Sequence, residues 1–285
     1  MPDSTARWVH GASPTSNKVR PMSRRRISTI PRVVGGTAAF AWQILRATRL
    51  SLLPTHPNQD PSGLFGDPGS PPVRIVVLGD SSVTAPGVVP IDASWPRRMA
   101  ERIATGWRVE LISVAVGGAR AADVLANQVP PAIATGADIA VISVGANDAL
   151  RATPLSLFED RLDGILTELE RTIPHIGISG VGDLGIMPRL PTLARSLARV
   201  RGRSVDGAIR RVAWRHPNVV KSTAWGAQWA PLYHGDPAVM LAEDRFHASA
   251  EGHALFAAAA APVMDELLAR LAASRELSDH RGHRS

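Results

Sequence analysis

The chain has 285 residues, 45% of them hydrophobic, enough for one substantial domain or two small ones with a large buried core. Its formal charge of +7 is uneven: residues 1–49 hold nine Lys and Arg against one acid, while the remainder holds 23 against 24, so no nucleic-acid partner is expected for the domain. The absence of cysteine excludes a disulfide framework, Cys-ligated zinc and a thiol nucleophile, and no apolar run reaches the roughly 18–20 residues of a spanning helix.

Residues 1–32 are basic and rich in Pro and Ser, a composition that predicts a disordered arm. Residues 33–53 predict an amphipathic helix, with Phe40, Ile44 and Ala47 on one stripe and Arg46 and Arg49 supplying charge. Two readings of that helix stand side by side, an interfacial helix giving peripheral membrane contact and a helix packed on the domain's own surface. An Arg cluster ahead of a modest apolar segment also resembles an export signal, so the expected location is the cell envelope, with the cytoplasm as the alternative. Residues 54–72 are dense in Pro and Gly and read as a linker.

From residue 73 to 274 short apolar strands alternate with helical segments, the signature of βαβ units around a parallel sheet. Strands are predicted at Arg74–Gly79, Arg108–Val116, Asp138–Gly145, His175–Gly182 and Asn218–Thr223, with helices near 93–105, 119–133, 155–171, 191–214 and 249–272. Five strands with intervening helices make an α/β protein, a three-layer α/β/α sandwich with a five-stranded parallel sheet whose ligands sit at the carboxyl ends of the strands. Residues 275–285 read as a frayed polar tail.

The first three strands end in "GDSS", "GGAR" and "GAND", polar or glycine-rich blocks that a parallel sheet brings to one edge. Before the last helix comes "EDRFHASAEGH", in which Asp244 and His247 are three apart. On a tight turn that spacing lets a carboxylate hold one imidazole nitrogen while the other takes a proton. Taken singly, each block is an ordinary turn or helix cap.

Together, "GDS", a glycine-rich turn, "GxND" and "DxxH" in this order resemble the SGNH hydrolases, also called the GDSL esterase/lipase family, over about Arg74 to Phe256. The resemblance implies a flavodoxin-like sheet and hydrolysis of short to medium acyl carboxylic esters, of a small molecule or a lipid, through an acyl-serine. It casts Ser81 as nucleophile, His247 and Asp244 as the rest of a triad, and the Ser81 N–H, Gly118 and Asn147 as oxyanion-hole donors. Two positions depart from the family pattern: Ser82 replaces its Leu, which leaves a choice between two serines, and Ser113 replaces a frequent Asn, which leaves Gly117 as a neighbouring candidate for Gly118.

The segment Gly180–Pro191 follows the fourth strand, and its Leu184, Ile186 and Met187 are read either as an acyl pocket or as packing under a loop. Asp80 and Asp148 are read as turn or supporting residues, His234 and Asp236 as loop residues, and His253 as structural or exposed rather than a metal ligand. No metal or organic cofactor is expected. Lysophospholipase, thioesterase or acyltransferase activity would fit the same fold, and a nucleotide-binding module is the reading of another class, weakened by the lack of a G-x-G-x-x-G or Walker-type pattern.

Overall fold

The computed structural model describes residues 53–282, so the expectations for the basic arm at 1–32 and for the helix at 33–53 up to residue 52 lie outside the described residues. The core element is β2 (Pro72–Gly79), PVRIVVLG, whose five residues Ile75–Gly79 are all buried. Its alternation builds two cores at once. Val73, Ile75 and Val77 point into one apolar cluster, while Val76 and Leu78 point into the other, as expected of a strand covered on both faces.

Around β2 lie β3 (Arg108–Ser113), β4 (Ile139–Ser143), β5 (His175–Ile178) and β6 (Val219–Lys221), all parallel, and β1 (Gly63–Phe65), antiparallel to β3. The order β1-β3-β2-β4-β5-β6 places β2 between β3 and β4, so the chain steps to one side of β2 and then to the other. The carboxyl end of β2 is therefore the topological switch point, where a crevice opens between diverging connections.

Helices α1 (Ser81–Thr84), α2 (Trp95–Ile103), α3 (Ala121–Asn127), α4 (Val129–Ala134), α5 (Ala146–Leu150), α6 (Leu155–Glu170), α7 (Thr192–Arg215), α8 (Ala230–His234), α9 (Pro237–Met240) and α10 (Ala250–Gly282) complete the layers. Phe158, Leu162, Ile165, Leu166 and Leu169 of α6 are fully buried at helical spacing against one face of the sheet, and Met99 and Ile103 of α2 pack with Met264 and Leu267 of α10 on the other. Among the described residues no helix is long and apolar enough to cross a membrane.

The predicted α/β sandwich is present, with two corrections. The sheet has six strands, because the segment read as a linker contains β1 and is attached to the domain at several points. Gly63 and Phe65 pair with Leu111 and Val109, the Gln59 amide donates to the carbonyls of Ala85 and Val88 at 2.6 and 2.9 Å, and Ser113 N–H donates to Ser62 Oγ at 2.9 Å. Those attachments use backbone and side-chain polar groups and leave no apolar period, so composition hides them. The residues read as a frayed tail instead continue α10 to Gly282, where Arg275 donates to Pro72 O and Asp138 Oδ1 at 2.9 Å each.

Candidate active site

Gly79 ends β2 at φ +150, and a Cβ there would stand 2.1 Å from the Ser143 carbonyl oxygen, so only glycine permits this approach of β2 to β4. Gln128 pins the same residue on both sides, accepting from its N–H at 2.8 Å and donating to its carbonyl at 2.9 Å. Asp80 then caps α1, its Oδ1 accepting from Ser82 N–H at 2.9 Å, and Ala85 at φ +46 ends the helix after one turn. Ser81 is thereby fixed at the first helical position beside the cavity at the sheet edge.

The two adjacent serines have different surroundings. Ser82 Oγ lies 2.6 Å from Ser143 Oγ, which also accepts from Ser179 Oγ at 2.9 Å, a hydroxyl row across the ends of β2, β4 and β5. The Ser81 hydroxyl has no hydrogen-bond partner among the described residues.

Asp244 and His247 lie in a turn closed by the Leu241–Ala248 bridge and by the Ala242 N–H donating to His247 O at 2.9 Å. Arg245, in the left-handed region at φ +53, folds the chain back so that one Asp244 oxygen accepts from the N–H groups of Phe246 (2.9 Å) and His247 (3.0 Å). The other oxygen is 2.5 Å from His247 Nδ1, with the carboxylate almost wholly buried and the imidazole a quarter exposed. Burial by itself would raise the Asp244 carboxyl; the hydrogen bonds from the His247 ring and from the two backbone amides outweigh it and hold the group at about 2. The pair is thus a carboxylate that fixes the ring and leaves Nε2 directed away from it.

Ser81, Ser82, Asn147 and His247 line one cavity of about 200 Å³, together with Leu184, Ile186 and Met187. No hydrogen bond joins Ser81 to His247. Gly118 is not among the lining residues. It occupies a turn at φ +81, closed by Ala119 N–H donating to Val116 O at 3.1 Å. Gly117 is a glycine for another reason, since a Cβ there would come within 1.9 Å of Asn58 Oδ1 from the segment before β1. The Asn147 amide donates to Asp80 Oδ2 and to Ala119 O, both at 3.2 Å, and so ties the glycine turn to the β2 turn.

Asp80 is nearly inaccessible, and burial pushes its carboxyl above the usual range against the hydrogen bonds from Ser82 and Asn147 and the charge of His247. Asp148 is raised for the same reason and accepts the Ala121 N–H at 3.0 Å at the start of α3. Asp236 caps α9 through Ala238 N–H, and His234 ends α8. Among the described residues no group of three or more His, Asp or Glu side chains is arranged to hold a metal ion.

Several cavity residues carry no motif in the sequence: Ser143, Ser179 and Ser222 at strand ends, Trp95, Trp229 and Tyr233 on its walls, and His253. Their signal is weak because each is an isolated residue brought in by a different element. His253 is buried, and its Nδ1 accepts from Trp95 N–H at 3.1 Å.

Residues 77–255 match the GDSL-like lipase/acylhydrolase family. The chain belongs to that family. A GDSL-like esterase of Mycobacterium tuberculosis is 29% identical over 196 residues, covering 65% of this chain and 59% of the relative, so the match spans less than two thirds of that protein. Among solved structures, TesA has a TM-score of 0.55 at 18% identity, covering 68% of this chain and 99% of TesA. LAE5, an alpha/beta hydrolase enzyme from the metagenome of Lake Arreo, has a TM-score of 0.55 at 21% identity, covering 70% of this chain and 97% of its own. Both likenesses concern the fold, which in this family is the α/β sheet described above.

Proposed function

We propose that the chain hydrolyses carboxylic esters through an acyl-serine at Ser81, with His247 as general base and acid and Asp244 as its orienting carboxylate. The observation that carries this reading is the pair of a buried Asp244 and a His247 ring on the lining of a cavity that also holds a serine whose hydroxyl no other group occupies. His247 Nε2 takes the Ser81 proton as Oγ bonds to the ester carbonyl carbon, and the carbonyl π pair moves onto oxygen. As the oxyanion collapses, the bond to the leaving alcohol breaks and His247 returns the proton to it. Water, deprotonated by the same nitrogen, then adds to the acyl-serine and releases the acid and Ser81.

The oxyanion donors in this reading are the Ser81 N–H, which donates to no protein acceptor among the described residues, and the Asn147 amide, both on the cavity lining, while Gly118, outside that lining, shapes the turn that the Asn147 amide holds through Ala119 O. The two Asn147 bonds, at 3.2 Å, are at the long end of the N–H···O range, so the amide gives up little when one hydrogen turns to the substrate. Leu184, Ile186 and Met187 line the same cavity and are, in this reading, residues the substrate touches.

Ser81→Ala should abolish turnover of p-nitrophenyl butyrate and labelling by a fluorophosphonate, whereas Ser82→Ala should keep most of both. Near-normal kcat in Ser81→Ala would overturn the assignment.

A further inference from the structure

The cavity does not stop at the Ser81–His247 mouth. On the α10 side its lining continues along one face of that helix, through His253, Phe256, Ala260, Val263 and Met264, with Ala259 beside them. These positions recur at the three- and four-residue spacing of the face that packs on the sheet. Large side chains occupy that face at 256, 263, 264 and 267, but position 260 holds an alanine, and it is only half-buried where its neighbours Val263 and Met264 are buried. Protein interiors are otherwise close-packed, so a missing side chain on a core face leaves real space.

The walls and floor of this space are defined. Trp95 of α2 and Val141 of β4 face it across from α10, and Trp229 and Leu232 close one side, with Trp229 against Phe256 at 5.8 Å between ring centroids and Phe256 against His253 at 5.4 Å. Val263, which lines the space, and Leu267, which does not, both press on Gly177 of β5. A Cβ on Gly177 would meet both at 3.1 Å, and Leu267 is fully buried. From His253 to Met264 the helix rises about 16 Å.

The chemistry of the two walls differs. Beneath α10 the titratable group is His253, which accepts the Trp95 N–H through Nδ1 and, with burial as the main cause and the charges of His247 and Arg98 adding to it, is held neutral down to about 3. An occupant there meets aromatic rings, methyls and no ionised group. The opposite wall, at Leu184–Met187, adjoins Asp183, which is ion-paired to Arg199 at 2.7 Å, and the Tyr233 side chain.

We propose that the space beneath α10 is the subsite for a linear, saturated acyl chain of medium length, and that Ala260, with Ala259, sets the length it accepts. The proposal rests on the acyl-serine reading of Ser81. An acyl group on Ser81 would run between α10 and the sheet toward Val263 and Met264, while the alcohol leaves past Leu184 and Met187. Each methylene buried in such a space adds about four-fold to binding, so specificity should rise with chain length until the floor is reached.

The test compares kcat/KM for p-nitrophenyl acetate, butyrate, octanoate and palmitate in the full chain, in Ala260→Leu and in Ala258→Leu, whose position is exposed on the same helix. The natural chain should favour octanoate over both acetate and palmitate. In Ala260→Leu the octanoate-to-acetate ratio should fall at least ten-fold, and in Ala258→Leu it should stay as in the natural chain. An unchanged ratio in Ala260→Leu, including equal losses at every length, would overturn the proposal while leaving Ser81-dependent hydrolysis standing. Absence of Ser81-dependent hydrolysis at any length would instead overturn the reading on which it rests.

Discussion

His253 and Asp244 both have depressed pKa values, and they act on stability in different pH windows. Asp244 falls from an ordinary carboxyl to about 2 because its ionised form is hydrogen-bonded, so it contributes about 2 kcal/mol above pH 4 that is lost as pH falls toward 2. His253 is depressed because burial excludes its charged form. Between about pH 6.5 and 3 the unfolded chain binds a proton at this residue that the folded chain does not, so stability rises with pH across that window. His253→Gln, which keeps an acceptor for Trp95 N–H, should flatten the stability curve between pH 6.5 and 4 by up to ~1.4 kcal/mol per pH unit. Urea titrations at several pH values would measure this, and an unaltered slope would mean that His253 is protonated in the folded state. The two serines also differ at this scale, since Ser82 is bound into the Ser143–Ser179 hydroxyl row and Ser81 is not.

At the scale of elements, the site depends on how closely β2 can approach β4. Gly79 sits where a side chain would strike the Ser143 carbonyl, and its φ of +150 is itself unfavourable for any other residue. Gly79→Ala should cost at least ~2 kcal/mol of stability and, because Ser81 is two residues on, should lower turnover by more than the unfolded fraction explains. Thermal melts and assays on the folded protein would separate the two effects, and a fully active, equally stable variant would show that the β2 turn tolerates a shift. The elements were legible in the sequence where a strong period marked them: β2, β4 and α6 stand where the apolar pattern placed them. The three-residue β1 was not, because a short edge strand makes its attachments with backbone groups and shows no alternation.

Over the whole molecule, the charge imbalance separates a basic stretch, residues 1–49, from a nearly neutral remainder, and the stretch read as a linker is attached to the domain. Residues 54–65 bring Gln59, Asn58, Ser62 and β1 onto the domain. A chain beginning at Leu53 keeps these attachments. One beginning at Gly66 should lose about 3 kcal/mol from the two Gln59 bonds and the Ser62 bond alone, apart from the uncovered β3 edge. Equal melting temperatures for the two truncated chains would restore the reading of this stretch as a linker.

The sequence alone determined the layers and the chemistry on offer, because apolar periodicity dictates which faces are buried and because a parallel sheet must bring the "GDS", "GGAR" and "GAND" ends to one edge. Asp244 and His247 were legible for the same local reason, their contact needing only a tight turn. Which of these groups share a cavity, that Gly118 stands outside its lining, and that the space runs beneath α10 past Ala260 were decided by the tertiary structure. Those features arise from residues far apart in the chain whose separation in space depends on how helices seat on the sheet, a packing outcome that no local pattern of residues encodes.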